Sequence, residues 1–239
     1  MKRSFKITLI ALLAIIWTIC SAMTGCQPLV STPMSEAEVA RGLREALSIG
    51  AVNAVLATNK ENGYFGNPAI KIPFPEEAAA AMNFMQNSVI LRPLLNEFIL
   101  KMNRAAEQAS AKAKPIFADA VAGITLHEAW NILRGGQNAA TTYLRHQTYS
   151  QLYESFQPDV LGSLNEVGAQ KAWHDLTNAY NAMVAFTPGL RRVNTDLAGY
   201  VTTKALDGLF LMVAEEEAKI RRDPAARVTD LLRRVFAQQ

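Results

Sequence analysis

One stretch near the middle of the chain restricts its architecture most. From Gly135 to Phe156 it reads GGQNAATTYLRHQTYSQLYESF. Two glycines stop whatever precedes it, a run of small residues lets another backbone approach closely, and aromatic and hydroxyl-bearing residues follow. Thr142, His146, Tyr149, Tyr153 and Phe156 recur in steps of four, three, four and three, which places them on one face of a helix. The expectation is a central helix against which the others pack. Its mixed face suits either a core whose hydroxyls are satisfied internally or the wall of a pocket.

The helical period continues through most of the chain. Ser35 with Glu38 is a capping-box start for a helix that presents Val39, Leu43, Leu47 and Ala54 and ends near Thr58. Asn59 to Pro75, NKENGYFGNPAIKIPFP, carries turn signals and then Ile70, Ile72 and Phe74 alternating with Lys71 and Pro73. Prolines remove donors that a central strand needs, so an extended segment laid across the helices is expected. Tyr64 and Phe65 are its packing anchors, or alternatively an aromatic finger for lipid or a partner. Pro75, Glu76 and Glu77 open a second helix. A third begins at Pro93 with Leu94, Leu95, Phe98, Ile99 and Met102 as its buried stripe, and breaks or kinks at Pro115. Thr125 and Glu128 form another capping box. Pro158 starts a short helical piece, Ala169 to Phe186 is helical, and Asp196 or Thr195 caps one turn of the connection that follows. The last helices run from Thr202 to Arg222 and from Ala225 to Phe236, the latter burying Val228, Leu231, Leu232 and Val235. No strand pair is evident. The reading is all-α: an irregular bundle of roughly nine or ten helices forming a single domain over 35–238.

The amino terminus indicates where such a domain would reside. Lys2, Arg3 and Lys6 followed by the apolar run Ile7 to Ile19 form an export signal over 1–25. That run is shorter than the ~20 residues needed to span a bilayer. Met23, Thr24, Gly25 and Cys26 resemble the lipobox of bacterial lipoproteins, in which the cysteine after the cleaved bond receives a diacylglyceryl group. Met23 stands where leucine is usual, and the alternative is ordinary cleavage to a soluble periplasmic protein. Residues 26–34 form a short tether. No acidic residue follows Cys26 closely, which by the sorting rules of such lipoproteins implies the outer membrane, facing the periplasm.

Charge and cysteine count narrow the function classes. Of the 24 lysines and arginines, Lys2, Arg3 and Lys6 lie in the signal and no acid does, so the mature chain balances at 21 to 21. A neutral protein offers no electrostatic case for nucleic acid or a polybasic membrane patch. Cys20 leaves with the signal and Cys26 carries the lipid, so no thiol remains for a disulfide, a zinc cluster or a nucleophile. His127, His146 and His174 lack a second ligand at metal spacing, and no metal or other cofactor is expected. Thr142 lies one turn before His146, but no nucleophile turn accompanies them.

Two polar groupings stand out. Asn96, Asn103, Glu107, Ser110 and Lys114 run beside the apolar stripe of the third helix, while Thr203, Lys204 and Asp207 interrupt an otherwise apolar helix. An internal network joining Asn103, Glu107, Tyr143, Lys204 and Asp207 is one reading, and solvated charges are the other. Gly208 in mid-helix costs ~1 kcal/mol relative to alanine and favours close packing there. The run Glu215, Glu216, Glu217 beside Lys219, Arg221 and Arg222 reads as an exposed, salt-bridged helix end.

The blocks NRAAEQA, GGQNAATTYLR, YVTTKALDGLF and EEEAKIRRDPAARVTDLLRRVF resemble those of an uncharacterised family of exported Gram-negative proteins, a domain of unknown function, over about Ala37 to Phe236. The resemblance implies location and a mostly helical domain, and lends no activity. The reading is therefore a lipid-anchored binding or scaffolding module for an envelope component, whether amphiphile or protein. The alternative is an enzyme with a pocket on the central helix, formed by Thr142, His146, Tyr149 and Tyr153 and gathering His146 or Glu107 with Tyr143 or Tyr149.

Overall fold

The computed structural model describes residues 34–166, 168–184, 186 and 192–237. The expected signal, Cys26 and most of the tether lie outside them. The described residues are all-helical, with an ordered array α1 (Glu36–Thr58), α2 (Ala79–Asn87), α3 (Leu91–Ala109), α4 (Ala113–Ala122), α5 (Leu126–Arg134), α6 (Ala139–Glu166), α7 (Ala169–Val184), α8 (Leu197–Arg222) and α9 (Asp230–Phe236). A 3-10 turn, Ser110–Lys112, joins α3 and α4 into one rod. Counted as rods, the described residues form seven and a closing two-turn helix, rather than nine or ten.

Several expected boundaries move, each for a local reason. Instead of ending before Pro158, α6 runs through it. An interior proline costs about 3 kcal/mol, and burial of Phe156, Val160 and Leu164 on the same helix offsets it. The rod of α3 and α4 tightens to 3-10 geometry just before Pro115. The start of α8 is Leu197, five residues earlier than expected, because the Asp196 carboxylate accepts from the Gly199 amide and caps the whole helix. Asp223 and Pro224 open only a 3-10 turn, and Thr229 caps α9 instead, so Val228 is left 61% exposed. At α5 the expected capping box is present, with Thr125 and Glu128 bonded reciprocally.

The core is centred on α8, which packs against both α6 and α1, with α3 and α4 packed on α6. Among the described residues only α8 is long and apolar enough to cross a bilayer. Most of its apolar side chains are consumed internally: Leu197, Val201, Leu206, Leu209, Phe210 and Val213 are buried, while Leu211 is exposed. On α6 the buried row is Ala140, Leu144, Thr148, Leu152, Phe156, Val160 and Leu164. Steps of four drift by about 40° each on a helix with 3.6 residues per turn. The row therefore winds around α6, which is possible because α3, α4, α5, α7 and α8 contact it along its length. That winding is why the face through Thr142 and His146, both exposed, is not the buried one.

The segment 59–75 is a strap laid over α3 and α8. Tyr64 is fully buried, so the aromatic finger is excluded for that residue, and Ile70, Ile72 and Phe74 are buried while Lys71 and Pro73 face out. Phe74 packs against Phe98 and Trp173 at ring separations of 5.5 and 5.6 Å. Gly208 of α8 lies under the strap, and a Cβ there would sit 2.8 Å from Tyr64 Cε1 and 3.0 Å from Ile70 Cβ.

Gly208→Ala and Gly162→Ala should therefore have opposite signs. Gly162, near the C-terminal end of α6 with nothing within 4 Å of a built Cβ, should gain ~0.5–1 kcal/mol in urea unfolding. Gly208→Ala should lose ~1–3 kcal/mol through overpacking. Equal stabilisation by both would remove the close approach of strap and helix.

Candidate functional site

The first polar constellation binds the strap itself. Asn103 is fully buried in α3; its Oδ1 accepts from the Ile72 amide at 2.8 Å and its Nδ2 donates to the Ile72 carbonyl at 2.9 Å and the Ile99 carbonyl at 2.8 Å. A carboxamide is the side chain that offers donor and acceptor together to one extended residue. One turn on, Glu107 is 5% exposed and its Oε1 accepts from the amides of Tyr64 and Phe65, each at 3.1 Å. Its Oε2 pairs with Arg104, which also reaches Glu61 and Asn62 at the strap's turn. The Tyr64 hydroxyl donates to the Ala205 carbonyl of α8 at 2.7 Å. Burial raises the Tyr64 phenol pKa well above its ordinary 10.0, further helped by the Glu107 charge.

A second constellation corrects the expectation of an exposed acidic run. Glu217 is only 7% exposed; Oε1 accepts from Ala140 N at 3.0 Å and Oε2 from Thr141 N and Thr141 Oγ1, both at 2.8 Å. It thus satisfies the first amides of α6 from another helix. Arg221 pairs with it at 2.9 Å and donates onward to the carbonyls of Ile132 and Leu133 at the end of α5.

The expected five-residue network is only partly internal. Asn103 and Glu107 are buried in the strap clamp, but Lys204 and Asp207 are exposed, because the interior side of that turn of α8 is occupied by Ala205, Leu206 and Gly208. Asp207 pairs with Arg145 at 2.6 Å, and the Lys204 ammonium lies over the Tyr200 ring. Tyr143 turns toward Glu128, and its phenol pKa is raised by partial desolvation first and that carboxylate second. Asn96 and Lys114 are exposed, whereas Ser110 is buried. Leu94 is exposed too, so the inward face of α3 is turned from its apolar stripe toward the polar file.

The expected pocket face likewise separates. Thr142 and His146 are exposed; Tyr149 stacks between Tyr153 and Phe210, with the Arg145 guanidinium over the Tyr149 and Phe210 rings. The alternative catalytic pocket needed His146 or Glu107 beside Tyr143 or Tyr149. Both Glu107 oxygens are engaged by the strap and Arg104, and His146 faces out. Among the described residues no three His, Cys, Asp or Glu side chains converge as metal ligands would.

Of the expected face, Tyr153 lines an open cleft. That cleft holds about 270 Å³ between α6, α7, α8 and the strap's end, and is lined by Pro75, Tyr153, Trp173, Asn194, Asp196, Gly199, Tyr200 and Thr203. The Trp173 indole donates to the Asn194 carbonyl at 3.1 Å, and Asn194 Oδ1 accepts from the Asp196 amide at 2.9 Å. The Tyr200 hydroxyl donates to the Pro73 carbonyl at 3.2 Å. The Tyr153 phenol is raised by partial desolvation and then by the Asp196 charge. The sequence marked Tyr153 and Asp196, but for a helix face and a cap; their convergence with Tyr200 and Thr203 depends on how α6 crosses α8.

These features define a class: an all-α domain whose non-helical strap is clamped by buried side chains, with a cleft of mixed apolar and polar lining at one helix start. More particularly, the chain belongs to the family described as protein of unknown function (DUF4197), which matches residues 33–237. Neither curated proteins nor solved structures give a match. Asn103 and Glu107, Thr141, Gly208, and Glu217 with Arg221 fall one after another within the four sequence blocks quoted above.

Two outcomes follow from the clamp. Asn103→Asp keeps an acceptor for Ile72 N but sets a carboxylate against two carbonyls. It should cost at least as much as Asn103→Ala, ~2–3 kcal/mol in chemical denaturation, and should speed hydrogen exchange at Ile72. Wild-type stability should also fall as pH rises above the ordinary tyrosine value of 10.0. There the unfolded phenol has lost its proton while folded Tyr64 keeps it, a slope of about 1.4 kcal/mol per pH unit for one proton. Tyr64→Phe should flatten that alkaline slope by one proton, and an unchanged slope would contradict the burial of the hydroxyl.

Proposed function

We propose that the protein is a lipid-anchored periplasmic module, held at the outer membrane through an acylated Cys26, that binds or scaffolds an envelope component. The observation that carries the binding half is a contrast in how polar groups are used. Asn103, Glu107 and Glu217 are buried and spend their hydrogen-bonding capacity on the fold. Tyr153 and Thr203, with the Asp196 carboxylate that also caps α8, instead line a cleft open to solvent, beside aromatic walls. Clefts combining apolar surface with a few convergent polar groups are where small ligands bind. The anchoring half is supported by the basic start, the apolar run and the small residues preceding Cys26. A diacylated chain end holds a protein at a bilayer far more firmly than a single acyl chain.

Cys26→Ser, expressed in a Gram-negative host, should move the protein from the membrane fraction to the soluble periplasm and abolish incorporation of labelled palmitate. Membrane retention equal to wild type would overturn the anchor.

A further inference from the structure

We propose that the cleft between Tyr153 and Asp196 takes a saccharide ring, a neutral polyhydroxylated ligand held by hydrogen bonds on its rim and by an aromatic wall. The inference rests on the reading of this cleft as a binding site and supplies its ligand chemistry. The lining decides between ligand classes. None of the lining residues is a lysine or arginine, and Asp196 is one of them, so an anionic head group would meet repulsion. An organic cation is also poorly matched. Asp196 is the N-cap of α8, its Oδ1 accepting from the Gly199 amide at 2.8 Å, and the roughly half-unit positive end of the helix offsets much of its field. An acyl chain would bury the hydroxyls of Tyr153 and Thr203 and the second oxygen of Asp196, the one not spent on the Gly199 amide, without offering them partners, at a cost of ~1–3 kcal/mol each.

Hydroxyl ligands suffer none of these penalties. A carboxylate is acceptor-only, while the hydroxyls of Tyr153 and Thr203 both donate and accept, so together they match sugar hydroxyls of either polarity. Hydrogen bonds to an ionised acceptor are the stronger kind, and helix-end compensation leaves its lone pairs in place. Tyrosine rings combine a flat apolar face with a polar rim, which suits the C–H face of a pyranose. Tyr149 backs Tyr153, with ring centroids 6.5 Å apart, so that wall is held from behind.

Gly199 keeps the site open. A Cβ there would collide with the Asp196 carboxylate and come 3.1 Å from the Tyr153 hydroxyl. The carboxylate and the phenol therefore converge over a residue that has no side chain. The volume of about 270 Å³ falls at the lower end for ligand pockets, roughly 300–1,000 Å³, and fits one ring rather than an extended chain.

The test uses the mature protein and NMR, following the Gly199 amide and the Trp173 indole N–H. N-acetylglucosamine and glucose are added as soluble probes, and purified peptidoglycan is used in a co-sedimentation arm to separate a polymeric source from a free sugar. Saturable shifts at both signals with either sugar are expected. Asp196→Asn and Tyr153→Phe should each weaken binding about fivefold to tenfold, corresponding to the loss of one hydrogen bond. Asparagine caps a helix as well as aspartate does, so the first variant should retain the wild-type unfolding curve. Absence of saturable shifts with both sugars and of co-sedimentation, or binding unaffected by both variants, overturns the saccharide assignment. If choline or a short-chain fatty acid then moves the same signals, the cleft remains a binding site with different chemistry. If none of the probes moves them, the binding reading falls as well.

Discussion

A helix satisfies its own backbone only in its interior, and an all-helical domain must find partners for everything else. Here those partners are buried side chains reaching from one helix to the backbone of another segment. Asn103 holds both backbone groups of Ile72, Glu107 gathers the amides of Tyr64 and Phe65, and Glu217 receives the first amides of α6. Arg44 serves the Ile124 carbonyl and Arg227 the carbonyls of Ile220 and Arg221. The apolar core supplies most of the driving force, but it is non-directional. These contacts set where the strap lies and where each helix begins and ends.

Burying carboxylates for this purpose is costly, and the arrangement shows how the cost is offset. Removing an ion from water costs several kcal/mol unless its lone pairs are filled and an opposite charge is near. Glu107 accepts from two amides and from Arg104, and Arg104 keeps part of its surface in water. Glu217 has two amides, one hydroxyl and Arg221. In the second case the geometry does more. Glu217 accepts at the positive start of α6, and Arg221 donates at the negative end of α5, so a pair one turn apart on α8 spans the Gly135, Gly136 junction and fixes the angle between two helices.

The helical class, the strap and the Thr125 capping box were legible because each rests on local signals: period, proline placement and a spacing of three. The buried polar groups were legible only as residues out of place. Glu107 lies in a file of polar positions beside an apolar stripe, and the pattern does not say which side faces inward when the partner is a backbone segment over forty positions away. Glu217 was hidden for a different reason, because it follows two other glutamates and its partners, Ala140 and Thr141, are more than seventy positions distant. The central helix misled because a helix surrounded by neighbours has no single inward face. Its polar and aromatic side chains suggested one at Thr142 and His146, whereas packing selected the winding row through Leu144, Thr148 and Leu152.

The strap and the cleft are consequences of the same constraint. Clamped at Ile72 by Asn103, the extended segment continues through Pro73 to Pro75, where the Pro73 carbonyl accepts from Tyr200 and Phe74 packs against Phe98 and Trp173. Pro75, Trp173 and Tyr200 are three walls of the cleft, and the α8 cap at Asp196 supplies a fourth. Three of its lining side chains, Trp173, Asp196 and Tyr200, are therefore already held by hydrogen bonds to backbone. Preorganisation of this kind lowers the ordering cost of binding a weakly held ligand. Even a shallow site can then be selective, because its groups hold their positions before anything occupies it.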